Sequence, residues 1–91
     1  MKYFDWDPAK NEKLREERGV GFEEVLIALD EDRVLATVEN PNQARYPGQK
    51  MLIVEIHEYA YLVPFVEDEE KVFFKTIIPS RKATKKYLKN T

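Results

Sequence analysis

The chain contains no cysteine and a single histidine, His57. Without cysteine there is no disulfide framework and no thiolate metal site, and one imidazole cannot build a histidine-rich metal centre. Glycine is also scarce, with three among 91 residues, so the backbone has few positions where a left-handed turn costs nothing sterically. No apolar run approaches the roughly 18 residues that a membrane-spanning helix needs. The opening Met1-Lys2-Tyr3-Phe4-Asp5 lacks the apolar stretch of a secretory signal. The expectation is a cytoplasmic protein without metal or cofactor.

What remains is one domain's worth of chain, 91 residues at 43% hydrophobic content, enough for a thin core. A formal net charge of −2 conceals a strong polarity. Residues 1–70 carry 8 basic and 17 acidic side chains, whereas residues 71–91 carry 7 basic and no acidic ones. A basic C-terminal segment is a candidate surface for phosphate or for an acidic partner; as structure alone, it would be the solvated face of a helix.

Local signals divide the chain into elements. Residues 3–6 alternate weakly, as in a short strand. Asp7-Pro8 pairs an N-cap residue with proline at the first helical position, where its missing N–H costs nothing. That predicts a polar surface helix over Pro8–Arg18, stopped by Gly19. A second helix follows over Phe22–Asp30, with Phe22, Val25, Leu26 and Leu29 at the spacing of a buried stripe. Val34–Val38 reads as a strand, and Asn40–Gln49 is loop chemistry throughout. Met51–His57 and Ala60–Val66 read as strands joined by a tight turn near Glu58. Pro64 within the latter signals a sheet edge or a bulge. After the acidic turn Glu67–Glu70, a last strand over Val72–Ile78 ends at Pro79, and Ser80 caps a basic helix running through Leu88. The expected architecture is α+β, in the order β-α-α-β-β-β-β-α: a meandering antiparallel sheet with helices on one face.

Two separated stretches carry a resemblance. Phe4-Asp5-Trp6-Asp7-Pro8-Ala9-Lys10-Asn11, followed by Arg18-Gly19-Val20-Gly21-Phe22-Glu23-Glu24-Val25, is similar to the opening of BrnT-family toxins. Ile77-Ile78-Pro79-Ser80-Arg81-Lys82-Ala83-Thr84, with Tyr87 after it, resembles the family's closing stretch. The resemblance implies a RelE-like fold, metal-independent ribonuclease activity that blocks translation and growth, and a cognate antitoxin as partner. The RNA would be met free or on the ribosome, and the assembly would be a homodimer or a toxin–antitoxin hetero-oligomer.

Cleavage by this route uses the RNA's own 2′-hydroxyl. The protein removes its proton, stabilises the extra charge on the pentacoordinate phosphate and protonates the leaving oxygen. Guanidinium and ammonium groups answer the charge requirement. The positions that match the family are Lys10, Arg18, Lys50 and Arg81, with Arg81 foremost because it opens the last helix, where an anion is favoured. Lys75, Lys82, Lys85 and Lys86 are the accompanying RNA-binding candidates. Three positions depart from the family: Arg18 stands where histidine is usual, Lys50 where arginine is usual, and Thr76 where a second arginine is usual. Strand alternation places Lys75 and Thr76 on opposite faces, which argues against Lys75 as a substitute for that arginine. His57 lies outside both stretches and reads as a turn or surface residue. Phe65, Phe73, Phe74, Tyr59 and Tyr61 would form either a base-stacking platform or, as the alternation favours, core. Two other function classes stay open: a non-catalytic protein-binding module on the same scaffold, and a nucleic-acid-binding domain that does not cleave.

Overall fold

A computed structural model describes residues 2–88, so Lys89 of the basic segment lies outside the described residues. The fold is α+β. The order is β1 (Tyr3–Asp5), α1 (Pro8–Arg18), α2 (Phe22–Asp30), β2 (Val34–Glu39), β3 (Lys50–Ile56), β4 (Tyr59–Glu67), β5 (Lys71–Phe74), β6 (Ile78–Pro79) and α3 (Arg81–Tyr87).

The helix boundaries follow from their caps. The Asp7 carboxylate accepts the Ala9 N–H at 3.0 Å, Pro8 opens α1, and Gly19 closes it at φ 70°. At the start of α2 the cap residue is Gly21, which has no side chain to accept a hydrogen bond. Asn11 of α1 fills the gap. Its Oδ1 accepts the Phe22 N–H at 2.7 Å, and its Nδ2 donates to both Glu23 carboxylate oxygens at 3.0 Å. A Cβ on Gly21 would lie 2.8 Å from Asn11 Oδ1 and from Arg15 Cγ. Glycine is therefore required there by the close approach of α1.

The sheet runs β1-β5-β4-β3-β2, with β6 also paired to β4. It is mixed, because β1 lies parallel to β5 while all other pairs are antiparallel. The expected purely antiparallel meander is corrected on this point. The single last strand expected over Val72–Ile78 is divided as well. Phe65 pairs with Phe74 and Leu62 with Ile78, so Lys75, Thr76 and Ile77 oppose only Val63 and Pro64. This is a bulge, and Pro64 explains its position. The proline carbonyl accepts the Lys75 N–H at 2.8 Å, but proline has no N–H to return across the same edge, so the ladder is interrupted there. Pro64 thus marks a bulge in a central strand, the second of the two alternatives it signalled.

Helices cover both faces, not one. α1 and α2 pack on the face formed by Leu52, Val54, Ile56, Val63 and Phe65, closing a core that includes Leu14, Val20, Phe22, Val25, Ala28, Phe74 and Ile77. Leu26 and Leu29 are only half-buried at its margin, and Ala28 takes the interior place. The α1 helix is less superficial than its polarity suggests, since Leu14 and Asn11 are both buried. Trp6, Phe22, Phe74 and Phe4 stack in series with ring centroids 5.5–6.3 Å apart, a geometry that adds to simple burial. On the opposite face, α3 packs through Ala83, Tyr87 and Leu88 onto Ile53, Ala60, Leu62, Leu35, Ala36 and Val38. Thr84 locks it down. Its buried hydroxyl accepts the Ala60 N–H at 2.9 Å and donates to the Ser80 carbonyl at 2.7 Å.

Candidate functional site

The four cations matched to the family's chemistry do not converge. Lys10 and Arg18 lie on α1, under one face of the sheet, and Arg81 opens α3 on the other. Lys50, at the start of β3, is 3.6 Å from the Glu67 carboxylate, which Lys2 also reaches at 2.8 Å. The hydrogen bond and charge of Lys2, with a smaller contribution from Lys50, hold the Glu67 carboxyl below its ordinary value. The Lys50 charge is therefore already answered by an acid. The Tyr61 hydroxyl is pushed up mainly by burial, then by the charges of Glu24 and Tyr59, with the Arg18 charge opposing.

The Ser80 hydroxyl accepts the Ala83 N–H at 3.0 Å, and the Ser80 carbonyl accepts the Thr84 N–H at 3.0 Å. These bonds satisfy the third and fourth N–H groups of α3, and the Arg81 guanidinium stands exposed at its head.

The His57 ring lies on the α2 side of its hairpin. The residue forms the β3–β4 hairpin turn with Glu58, at φ 54° and 62°, the left-handed pair that a two-residue hairpin demands. Its Nε2 lies 3.1 Å from Glu24 of α2, on the α1/α2 side. Among the described residues no His, Asp and Glu side chains gather as a three-membered metal-holding group.

What does converge is charge and aromatic surface on the α3 side. Lys82, Lys85 and Lys86 are exposed along α3, and Lys86 lies 5.4 Å from the Tyr87 ring centroid. α3 covers only part of this face. Beyond it, on β5, the Phe73 ring is flanked by Lys75 at 5.5 Å and by Lys71 at 5.8 Å, the latter also paired with the Asp5 carboxylate at 3.8 Å. Phe73 is thus the exception among the aromatics: Phe65 and Phe74 are core, and Tyr61 packs against it. Tyr59 meets Tyr61 edge-on at 5.8 Å.

Next to this row lies a pocket of about 420 Å³, lined by Asn40, Tyr46, Gln49, Met51, Pro64, Lys75, Thr76 and Ile78. Lys75 and Thr76 line it together, which corrects the expectation that alternation separates them. The bulge breaks the alternation. One wall is the loop 40–49, held by its own polar side chains. Asn40 Nδ2 donates to Gln49 Oε1 at 2.7 Å, Gln43 Nε2 donates to the Asn40 and Gln49 carbonyls at 2.7 and 3.1 Å, and Gln43 Oε1 accepts the Gly48 N–H at 3.1 Å. Asn40 and Asn42 each take a further backbone N–H. The sequence shows a loop here but not that it is built. Tyr46 and Gln49 were missed as site residues for that reason; the density of Asn and Gln was the available signal.

No family model, curated protein or solved structure matches this chain. The fold and the site define an α+β domain with one deep, helix-covered side and one basic, partly open side.

Proposed function

We propose that the protein is the toxin of a bacterial type II toxin–antitoxin pair, with a RelE-like scaffold, acting on RNA as a metal-independent ribonuclease. The observation that carries this is the cation–aromatic row Lys71–Phe73–Lys75 on the same side as the basic α3. Aromatic rings beside ammonium groups suit single-stranded nucleic acid, where bases stack and phosphates need countercharge. The two sequence stretches resembling BrnT toxins point the same way. In this reading Arg81, with Lys82, Lys85 and Lys86 behind it, supplies charge to the phosphate in the transition state. Arg81 suits that role because its planar fork meets two phosphate oxygens at once. A cognate antitoxin is the expected protein partner.

A second reading, a binding module without cleavage, is favoured by two observations: the scatter of Lys10, Arg18 and Lys50, and the placement of the only imidazole away from the basic side. Inducing the chain alone in bacteria separates the two. The toxin reading expects growth arrest with cut cellular RNA, and purified protein that cleaves RNA with ribosomes present. Arg81→Ala is expected to abolish both while changing stability by about half a kcal/mol or less, as exposed substitutions do. Arg81→Lys is expected to recover part of the activity, since it keeps charge without the fork. Wild type that binds RNA but never cleaves it points to a nucleic-acid-binding domain instead, and wild type that does neither points to a protein-binding module.

A further inference from the structure

The pocket beside Lys75 has properties that binding of a phosphate backbone does not call for. At about 420 Å³ it lies within the range of small-ligand sites, roughly 300–1,000 Å³. Met51 and Pro64 give it an apolar lining, and Tyr46, 40% exposed, stands among the lining residues with the Arg45 guanidinium 5.5 Å from its ring centroid. The loop that carries Tyr46 is fixed by its internal hydrogen bonds before any ligand arrives. Preorganisation of this kind lowers the ordering cost of binding. Polar groups remain open in the same pocket. The Thr76 hydroxyl and the Gln49 Nε2 donate to no protein group among the described residues, and Lys75 adds a cation.

A fixed aromatic ring, an apolar lining, unspent hydrogen-bonding groups and one ammonium together fit a single nucleotide. The base has a π-face for Tyr46 and a polar edge for Thr76 and Gln49, and its phosphate meets Lys75. Free phosphate would leave the ring and the apolar lining idle. An apolar side chain of a protein would leave Lys75, Thr76 and Gln49 without partners.

We propose that this pocket receives one unstacked base of single-stranded RNA, with Tyr46 as the stacking surface and Lys75 on the adjoining phosphate. The proposal rests on the RNA reading above and adds a base-binding subsite to it. Thr76, where the family usually has arginine, is then a pocket residue that leaves room for the base.

The test uses the full chain and two labelled RNA hexamers of equal charge, one with bases and one abasic, both 2′-O-methylated so that cleavage cannot occur. Fluorescence anisotropy is expected to show tighter binding of the hexamer with bases. Tyr46→Ala is expected to weaken that hexamer about tenfold and leave the abasic one unchanged, in line with removal of a base-stacking ring. Tyr46→Phe, which keeps the ring, is expected to retain the preference, and Lys75→Ala to weaken both hexamers alike. Equal binding of the two hexamers by wild type, or equal weakening of both in Tyr46→Ala, overturns the subsite and leaves the RNA reading standing. If neither hexamer binds at all, the subsite falls, and the RNA reading is decided by the induction and ribosome assays above.

Discussion

The two sides of the sheet are built on different principles. The side under α1 and α2 is deep and aromatic, with Phe22, Val25, Val54, Val63, Phe74 and Ile77 essentially shielded from solvent. The side under α3 is thin. Ile53, Ala60 and Ala83 form its buried part, and the rest of the face lies open beside lysines. The charged side chains of α2 are all acidic, those of α1 are mixed, and α3 has no acid. The residues that carry the resemblance mostly serve the scaffold: Asp7 and Ser80 cap helices, Asn11 caps its neighbour, Trp6 and Phe22 stack, and Thr84 pins α3. A chain sharing these residues is expected to share the scaffold first. On the proposed reading, chemistry would rest on the exposed remainder, chiefly Arg81 and Lys82.

The contrast can be broken most severely on the deep side. Phe22→Ala removes the middle of the aromatic stack, and losses of about 3–5 kcal/mol accompany such truncations, a large share of a small domain's stability. Urea unfolding is expected to show no cooperative native state, or a sharply lowered midpoint. Val25→Asp should be as damaging. Leu26→Asp, at the half-buried margin, should do less, and equal damage at both positions would mean that the stripe is evenly buried. Asn11→Ala comes next, at about 1–2 kcal/mol, because it removes a cap and leaves a buried N–H unpaired. It is expected to lower the unfolding midpoint without altering RNA affinity, since it acts only on the α1/α2 side.

The basic side responds in the opposite manner. Reversing Lys85 and Lys86 to Glu is expected to leave the melting temperature nearly unchanged. It should also flatten the salt dependence of RNA binding, by roughly 0.7 in the log–log slope for each phosphate that is no longer neutralised. Identical affinity and slope in the variant would reduce the α3 lysines to solvated surface. The smallest effect concerns Glu23. The Asn11 amide, its own backbone N–H and the Arg15 charge hold its carboxyl below the ordinary value of 4.5. A depressed folded-state pKa contributes stability that is present above the unfolded value and lost as pH falls through the folded one. The stability difference between wild type and Glu23→Gln should therefore be full at neutral pH, begin to shrink below about pH 4.5 and vanish in stronger acid. A difference that persists there would assign the effect to altered hydrogen-bond geometry, not to charge.

Much of the fold was legible because its signals are local. Asp7-Pro8, Gly19 and Ser80 each announce a helix end within one turn of chain, and α1 and α2 begin and end where expected. The strands over β2 to β4 fall within a residue of expectation for the same reason. Pairings between distant segments were not legible. Nothing within residues 3–5 announces a parallel partner at Lys71–Phe73, and nothing in α3 announces which face it will cover. The site divides in the same way. The basic charge of the C-terminal segment is plain in the sequence, while the pocket depends on a bulge and on side-chain-to-backbone bonds that become visible only in three dimensions.

The bulge opposite Pro64 also acts as a phase shifter. The one extra residue between Phe74 and Ile78 lets Phe74 and Ile77 both face the deep core, although they are an odd number of positions apart. Everything downstream, from Ile78 through α3, inherits that phase. Deleting Thr76 would close the bulge: Ile77 would stand two positions after Phe74, still on the core side, and Ile78 would keep its place opposite Leu62. α3 would still reach Ala60 in step, and the loss would fall on the pocket that Thr76 lines. The extra residue therefore serves the pocket more than the core, so this short stretch should tolerate loss of a residue that a regular strand would not.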